Sequence, residues 1–216
     1  TLLNPNKSPF SFEFFVNVPE ITNDNQIIVQ KISGSAIDKN MTLALSQSSS
    51  AANCDLIFGI TSGSRNLYVT SSIPKGVFTH VYAGYDRLGD QKLHLILNAD
   101  INTEVTSSTA SEFSTLNFAG SDLLIGSGSS VRLNNTSLLF EPKQTLSCSM
   151  DELRYYRSFR SIDQIEKYRL RNLDINNSDE ASALTLYYKF NEPYGTHDGN
   201  SLILDSSGNG FNTNIL

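Results

Sequence analysis

Tryptophan is absent from the 216 residues, and cysteine and methionine occur only twice each. Cys54 and Cys148 stand too far apart in sequence for a metal or redox motif and read as two buried thiols, while a disulfide between them would need oxidising surroundings and close Cβ atoms. No apolar run approaches the roughly 20 residues of a membrane helix, so no membrane insertion is expected. Positive charge is in deficit. Sixteen Lys and Arg against 22 Asp and Glu leave a net charge of -6, which argues against nucleic acid or an anionic membrane as partner. No secretion signal is visible, and the chain starts without Met at TLLNPNKSPF. A processed chain, or a part of a longer parent protein with other domains, is expected.

What the sequence does have is strand periodicity. In FSFEFFVNV the residues Phe10, Phe12, Phe14, Val16 and Val18 share one parity, while Ser11, Glu13 and Asn17 share the other. Similar runs occur at NQIIVQKI, MTLALS, DLIFGIT, NLYVTS, VFTHVYAGY, KLHLILN, DLLIGS and MDELRYY, separated by Gly, Ser, Asn or Asp. Many short strands at close spacing predict an all-β antiparallel two-sheet sandwich or jelly roll. Its core is expected to contain Phe12, Phe14, Val81, Leu95 and Leu153. One helix is expected near 162–171, where Ser161 and Gln164 form a capping box ahead of Ile162 and Ile165.

Six of the 16 basic residues fall between Arg154 and Arg171, and Asp151 and Glu152 stand just before them. Alternation along MDELRYY sends Asp151 and Glu152 to opposite faces. With Leu153 and Tyr155 in the core, Asp151 points inward, while Glu152, Arg154 and most of the basic run face solvent. An inward carboxylate needs partners, either backbone N–H groups of a loop or a cation.

Catalytic patterns are missing. A glycosidase needs two carboxylates flanking one bond, and adjacent Asp151 and Glu152, sent to opposite faces of a strand, cannot be that pair. His80, His94 and His197 have no triad partner near them in sequence. No enzyme is expected.

Several segments together resemble laminin G-like and pentraxin-like domains of the concanavalin A-like lectin/glucanase superfamily. MDELRYYRSFRSIDQIEKY is similar to their closing strand and helix. SPFSFEFFVNVPE resembles an early strand, with Phe15 where Trp is common. GVFTHVYAGYDRLGDQKLHLILNAD is similar to their W-x-H hairpin, with Phe78 in place of Trp, and SDLLIGSG resembles the l-x-i-G strand. LYYKFNEPYG and LDSSGNGFN resemble pieces that usually open such a domain. Residues 1–216 are therefore taken as one domain, in which 187–216 supply an edge strand or begin a further repeat.

The resemblance implies a lectin-like module of a secreted, cell-surface or virion protein, whose partner is a glycan or a surface protein. A purely structural decoration domain is the alternative, and a glycoside hydrolase the third reading. Loop and strand-end residues Asn53, Asp55, Tyr68 and Tyr194 are the candidate sugar contacts. One structural calcium on Asp151, Asp205 and Asn209 is the candidate metal site. The pentraxin type of double-calcium site is not expected, because SGSSVRLNN carries no carboxylate after the l-x-i-G strand.

Overall fold

The computed structural model describes residues 2–34, 36–47, 50, 52–108, 113–118, 120–133, 139–192 and 201–214. The strands are β1 (Phe10–Asn17), β2 (Gln26–Ser33), β3 (Ala36–Ser46), β4 (Asn53–Ser62), β5 (Arg65–Pro74), β6 (Thr79–Tyr85) and β7 (Leu93–Leu97). They continue with β8 (Asp100–Thr106), β9 (Leu124–Ile125), β10 (Ser149–Tyr156), β11 (Leu184–Tyr188), β12 (Leu202–Ile203) and β13 (Thr213–Asn214). A six-stranded antiparallel sheet runs β11-β10-β1-β6-β7-β8, and a five-stranded one runs β5-β4-β3-β2-β9. Strands β12 and β13 form a separate small ladder.

The predicted parity fills the space between the sheets. Phe12, Phe14, Val81, Leu95 and Leu153 are all buried there against Leu43, Leu56, Phe58 and Val69 of the second sheet. Phe10 meets Phe58 edge-on at 6.2 Å and so ties the two sheets together.

A second layer lies on the outer face of the six-stranded sheet. Helix α1 (Ile162–Tyr168) starts at the expected capping box, with Gln164 N donating to Ser161 Oγ and Ser161 N donating to Gln164 Oε1. It is shorter than the predicted 162–171. The chain leaves it at Arg169 and drops onto the sheet at Leu173. Ile165 packs on Tyr82 and Ile96, while Tyr168 and Leu173 pack on Tyr156 and Tyr187. This outer layer is why β1 and β6 are buried on both faces, whereas a half-exposed sheet would alternate.

The layer also buries charge that was expected in solvent. Arg154 and Arg160 are 1% and 2% exposed and flank Glu13 of β1, with Arg160 Nε 2.8 Å from Glu13 Oε1. Arg160 lies over the Tyr156 ring at 4.2 Å, and Arg154 over the Tyr187 ring at 5.0 Å. Burial pushes the Glu13 carboxyl upward while the two guanidiniums pull it back.

Candidate functional site

Alternation fails at one residue. On β10 the pairing with β1 runs Glu13↔Arg154 and then Phe15↔Asp151, so Glu152 and Leu153 together face Phe14. The extra residue is a β-bulge, and Glu152 takes φ 54°, a left-handed conformation that costs a non-glycine residue about 1–2 kcal/mol. The bulge reverses the parity beyond it. Asp151 therefore leaves the core side and stands exposed beside Phe15 on the outer face, contrary to the inward orientation expected from alternation. Asp151 and Glu152, expected on opposite faces, line one cleft.

That cleft has a volume of about 350 Å³. Phe15 and Phe78 supply its aromatic walls. The chain just past α1 closes it with Arg169, Leu170, Arg171 and Asn172. Phe78 reaches the cleft because it shares the parity of His80 and Tyr82, and because Gly76, at φ 78°, turns the preceding loop with its N–H on Val18 O. Phe78 is 55% exposed, so its ring is open to solvent at the cleft.

Buried Arg154 anchors the opposite wall. Its Nη1 donates to Tyr168 O at 2.9 Å and its Nη2 to Arg171 O at 2.7 Å, which fixes the segment carrying Arg169 to Asn172. The same guanidinium, together with the Tyr187 hydroxyl, donates to Glu152 Oε2. Glu152 is thus held as a paired anion. Asp151 Oδ1 accepts from Glu152 N at 2.9 Å, and partial burial raises the Asp151 carboxyl above its ordinary range. Beneath Phe15 lies His80, its ring 5.0 Å away, pushed by burial down to about 3 and so neutral at physiological pH.

The candidate sugar contacts lie elsewhere. Asn53 and Asp55 on β4 and Tyr68 on β5 are all exposed on the outer face of the five-stranded sheet, because Tyr68 pairs with Gly59, which has the parity of Asp55. Gly59 lies four positions beyond Asp55, about 13 Å along the strand, so Tyr68 and Asp55 do not converge on one ring. Residues 129–133 cover the neighbouring part of this face, with Gln30 bonding Ser129 and Thr61 bonding Arg132 O. Tyr194 and His197 lie outside the described residues.

Of the candidate calcium ligands, Asp205 and Asn209 are engaged with the backbone of β11 and its neighbours. Asp205 accepts from Tyr187 N, Ser207 N and Phe211 N, and Asn209 donates to Leu184 O and Thr185 O. Asp151 is separately committed to Glu152 N in the cleft. Among the described residues no group of three or more His, Cys, Asp or Glu side chains is gathered as a metal requires.

His94 has spatial partners that its sequence neighbourhood hides, Glu104 Oε1 at 2.6 Å from Nδ1 and Asp90 Oδ1 at 3.1 Å from Nε2. With both ring nitrogens on carboxylates, it has none free to activate a nucleophile. Both cysteines are free thiols, and burial raises them, Cys54 to about 11 and Cys148 to about 12, so neither is a thiolate at neutral pH. No helix among the described residues is long and apolar enough to cross a membrane.

A candidate carbohydrate-binding protein of Bacteroides ovatus matches with TM-score 0.62 and 20% identity over 96% of this chain, which spans about half (52%) of that protein. The CBM40 module of a Ruminococcus gnavus IT-sialidase, bound to α2,3-sialyllactose, matches with TM-score 0.51 and 9% identity over 76% of this chain and 83% of that one. Tailspike protein 2 of Escherichia coli O157:H7 bacteriophage CAB120 matches with TM-score 0.55 and 12% identity over 89% of this chain and 25% of that one. At these identities the likeness is one of fold. Among curated proteins, none matches the sequence. The laminin G family model described as the concanavalin A-like lectin/glucanases superfamily matches residues 1–166, three-quarters of the chain, and the protein belongs to that family.

Proposed function

We propose that the protein is a non-catalytic carbohydrate-binding module, working as part of a longer chain at a cell or virion surface or in a secreted protein. The observation that carries this reading is the cleft at the Glu152 bulge, where half-exposed Phe78 stands beside Phe15, Asp151 and Asn172. An aromatic face offers a stacking surface to the C–H side of a sugar ring, and the polar groups around it offer hydrogen bonds to hydroxyls. Two solved structures of similar fold come from carbohydrate-binding proteins, which agrees with this assignment.

Hydrolysis does not fit the same cleft. A glycosidase pair needs one carboxylic acid poised to donate a proton and a second carboxylate free to act as nucleophile or base. Here Glu152 is held by Arg154 and Tyr187, leaving Asp151 without a free carboxylate partner.

The test is a glycan array followed by calorimetry on the wild type and Phe78→Ala. Binding is expected to fall about two- to tenfold in the variant, the loss of one aromatic–ring contact worth about 0.5–1.5 kcal/mol, with an unchanged circular dichroism spectrum. Absence of binding to any glycan would return the protein to a structural decoration role. Binding unaffected by Phe78→Ala but lost in Tyr68→Ala would move the site to the five-stranded sheet.

A further inference from the structure

The charge distribution of the cleft carries the reading further, on the premise that the cleft is the glycan site. The chain as a whole is acidic, at -6, yet two arginines line this one cavity. Among the described residues, Arg169 and Arg171 take part in no ion pair, although the protein has more acids than bases to offer them. Of the two acids that line the cleft, Asp151 and Glu152, the second is already spent on Arg154 and Tyr187.

Among the lining residues Asp151 is then the one negative charge outside an ion pair, and against Arg169 and Arg171 it leaves the cleft an excess of one positive charge. We infer that the ligand is an anionic sugar residue carrying a single carboxylate, which meets Arg169 and Arg171 while its ring lies against Phe78.

Three features favour this class. Guanidinium forks match the planar, two-oxygen geometry of a carboxylate and hydrogen-bond it in pairs. The two arginines are presented by a fixed backbone, since Arg154 holds the carbonyls of Tyr168 and Arg171, and little ordering is left for the ligand to induce. Asp151 limits the charge that is tolerated. A polysulfated chain would bring several negative charges against Asp151 and against an acidic molecule, whereas one carboxylate matches the excess of one.

The experiment is an array of matched pairs, each neutral glycan beside its uronic- or sialic-acid-terminated counterpart, with sulfated glycans as a third arm, read at 0.05 M and 0.5 M salt. The wild type is expected to bind carboxylated members at least about tenfold better than their neutral partners, as a charge-assisted pair provides, and to lose most of that preference at high salt. Arg169→Gln/Arg171→Gln, with an unchanged melting temperature, is expected to abolish the preference for carboxylated over neutral partners, while Arg171→Lys retains part of it.

Equal binding of neutral and carboxylated partners would overturn the charge inference and leave the carbohydrate-binding assignment standing. A preference for sulfated glycans, or a carboxylate preference indifferent to both arginines, would overturn it in the same way. No binding in any arm would overturn both.

Discussion

His80 shows how a residue can be placed by parity and still surprise in its chemistry. It sits on β6 with the outward parity, but the layer above the sheet leaves it 1% exposed, next to Phe15 and within reach of the charges of Arg154 and Arg169. Burial first, and those cations second, bring its folded pKa to about 3. Unfolded, the imidazole takes a proton near pH 6.5, so between these values the unfolded state binds the extra proton. Stability from this group is full above about pH 6.5 and is lost as pH falls towards 3, about 2 kcal/mol of it by pH 5. Urea denaturation at pH 7.5 and 5 measures the loss, and His80→Gln should flatten the difference. A wild type equally stable at both values would contradict the burial.

Glu13 makes the opposite case, a charge that must stay. Glu13→Gln leaves Arg160 buried without an anion and Arg154 with Glu152 alone, and should cost about 3–5 kcal/mol in chemical denaturation. A loss under 1 kcal/mol would mean that water reaches the pair.

Among the elements, β10 decides most. Its first half follows one parity and its second half the other, and the switch at Glu152 moves Asp151 from the core side into the cleft. The 205–211 turn is the other element whose chemistry depends on context. Asp205 gathers three backbone N–H groups, from Tyr187, Ser207 and Phe211, and thereby pins the turn under the edge strand β11. Asp205→Ala should lower the melting temperature, with a cost of about 1–3 kcal/mol for the unsatisfied donors, and by the same amount in calcium and in chelator. A wild type that melts higher in calcium, with the difference lost in the variant, would instead make Asp205 a metal ligand.

At the scale of the whole molecule, two sheets and a covering layer place aromatic, cationic and acidic groups around one cleft without freeing a carboxylate pair. Incubated with neutral and acidic oligosaccharides, the protein should release no reducing sugar above a buffer blank. Release that disappears in Asp151→Asn would turn the binding cleft into an active site.

The sandwich, its core residues and the cap of α1 were legible in the sequence, because burial between two sheets imposes a period of two and a capping box is a local signal. Strand β8 was not legible, since its residues are mostly exposed and INTEVT has only two apolar residues, Ile101 and Val105, to mark a face. The cleft was not legible either. Periodicity assumes an unbroken strand, and Glu152 adopts φ 54° without the glycine that would mark a bulge in sequence. The burial of Arg154 and Arg160 likewise depends on what lies above them. A charged residue at an outward position reads as solvated until the chain from 157 to 173 folds back over the sheet, sets the Arg160 guanidinium beside Glu13 and Arg154 of the sheet, and gives Arg169 and Arg171 a cavity to face. Local pattern thus determined which residues form the sheets, while long-range packing decided which charges are buried and where the protein is left open to a ligand.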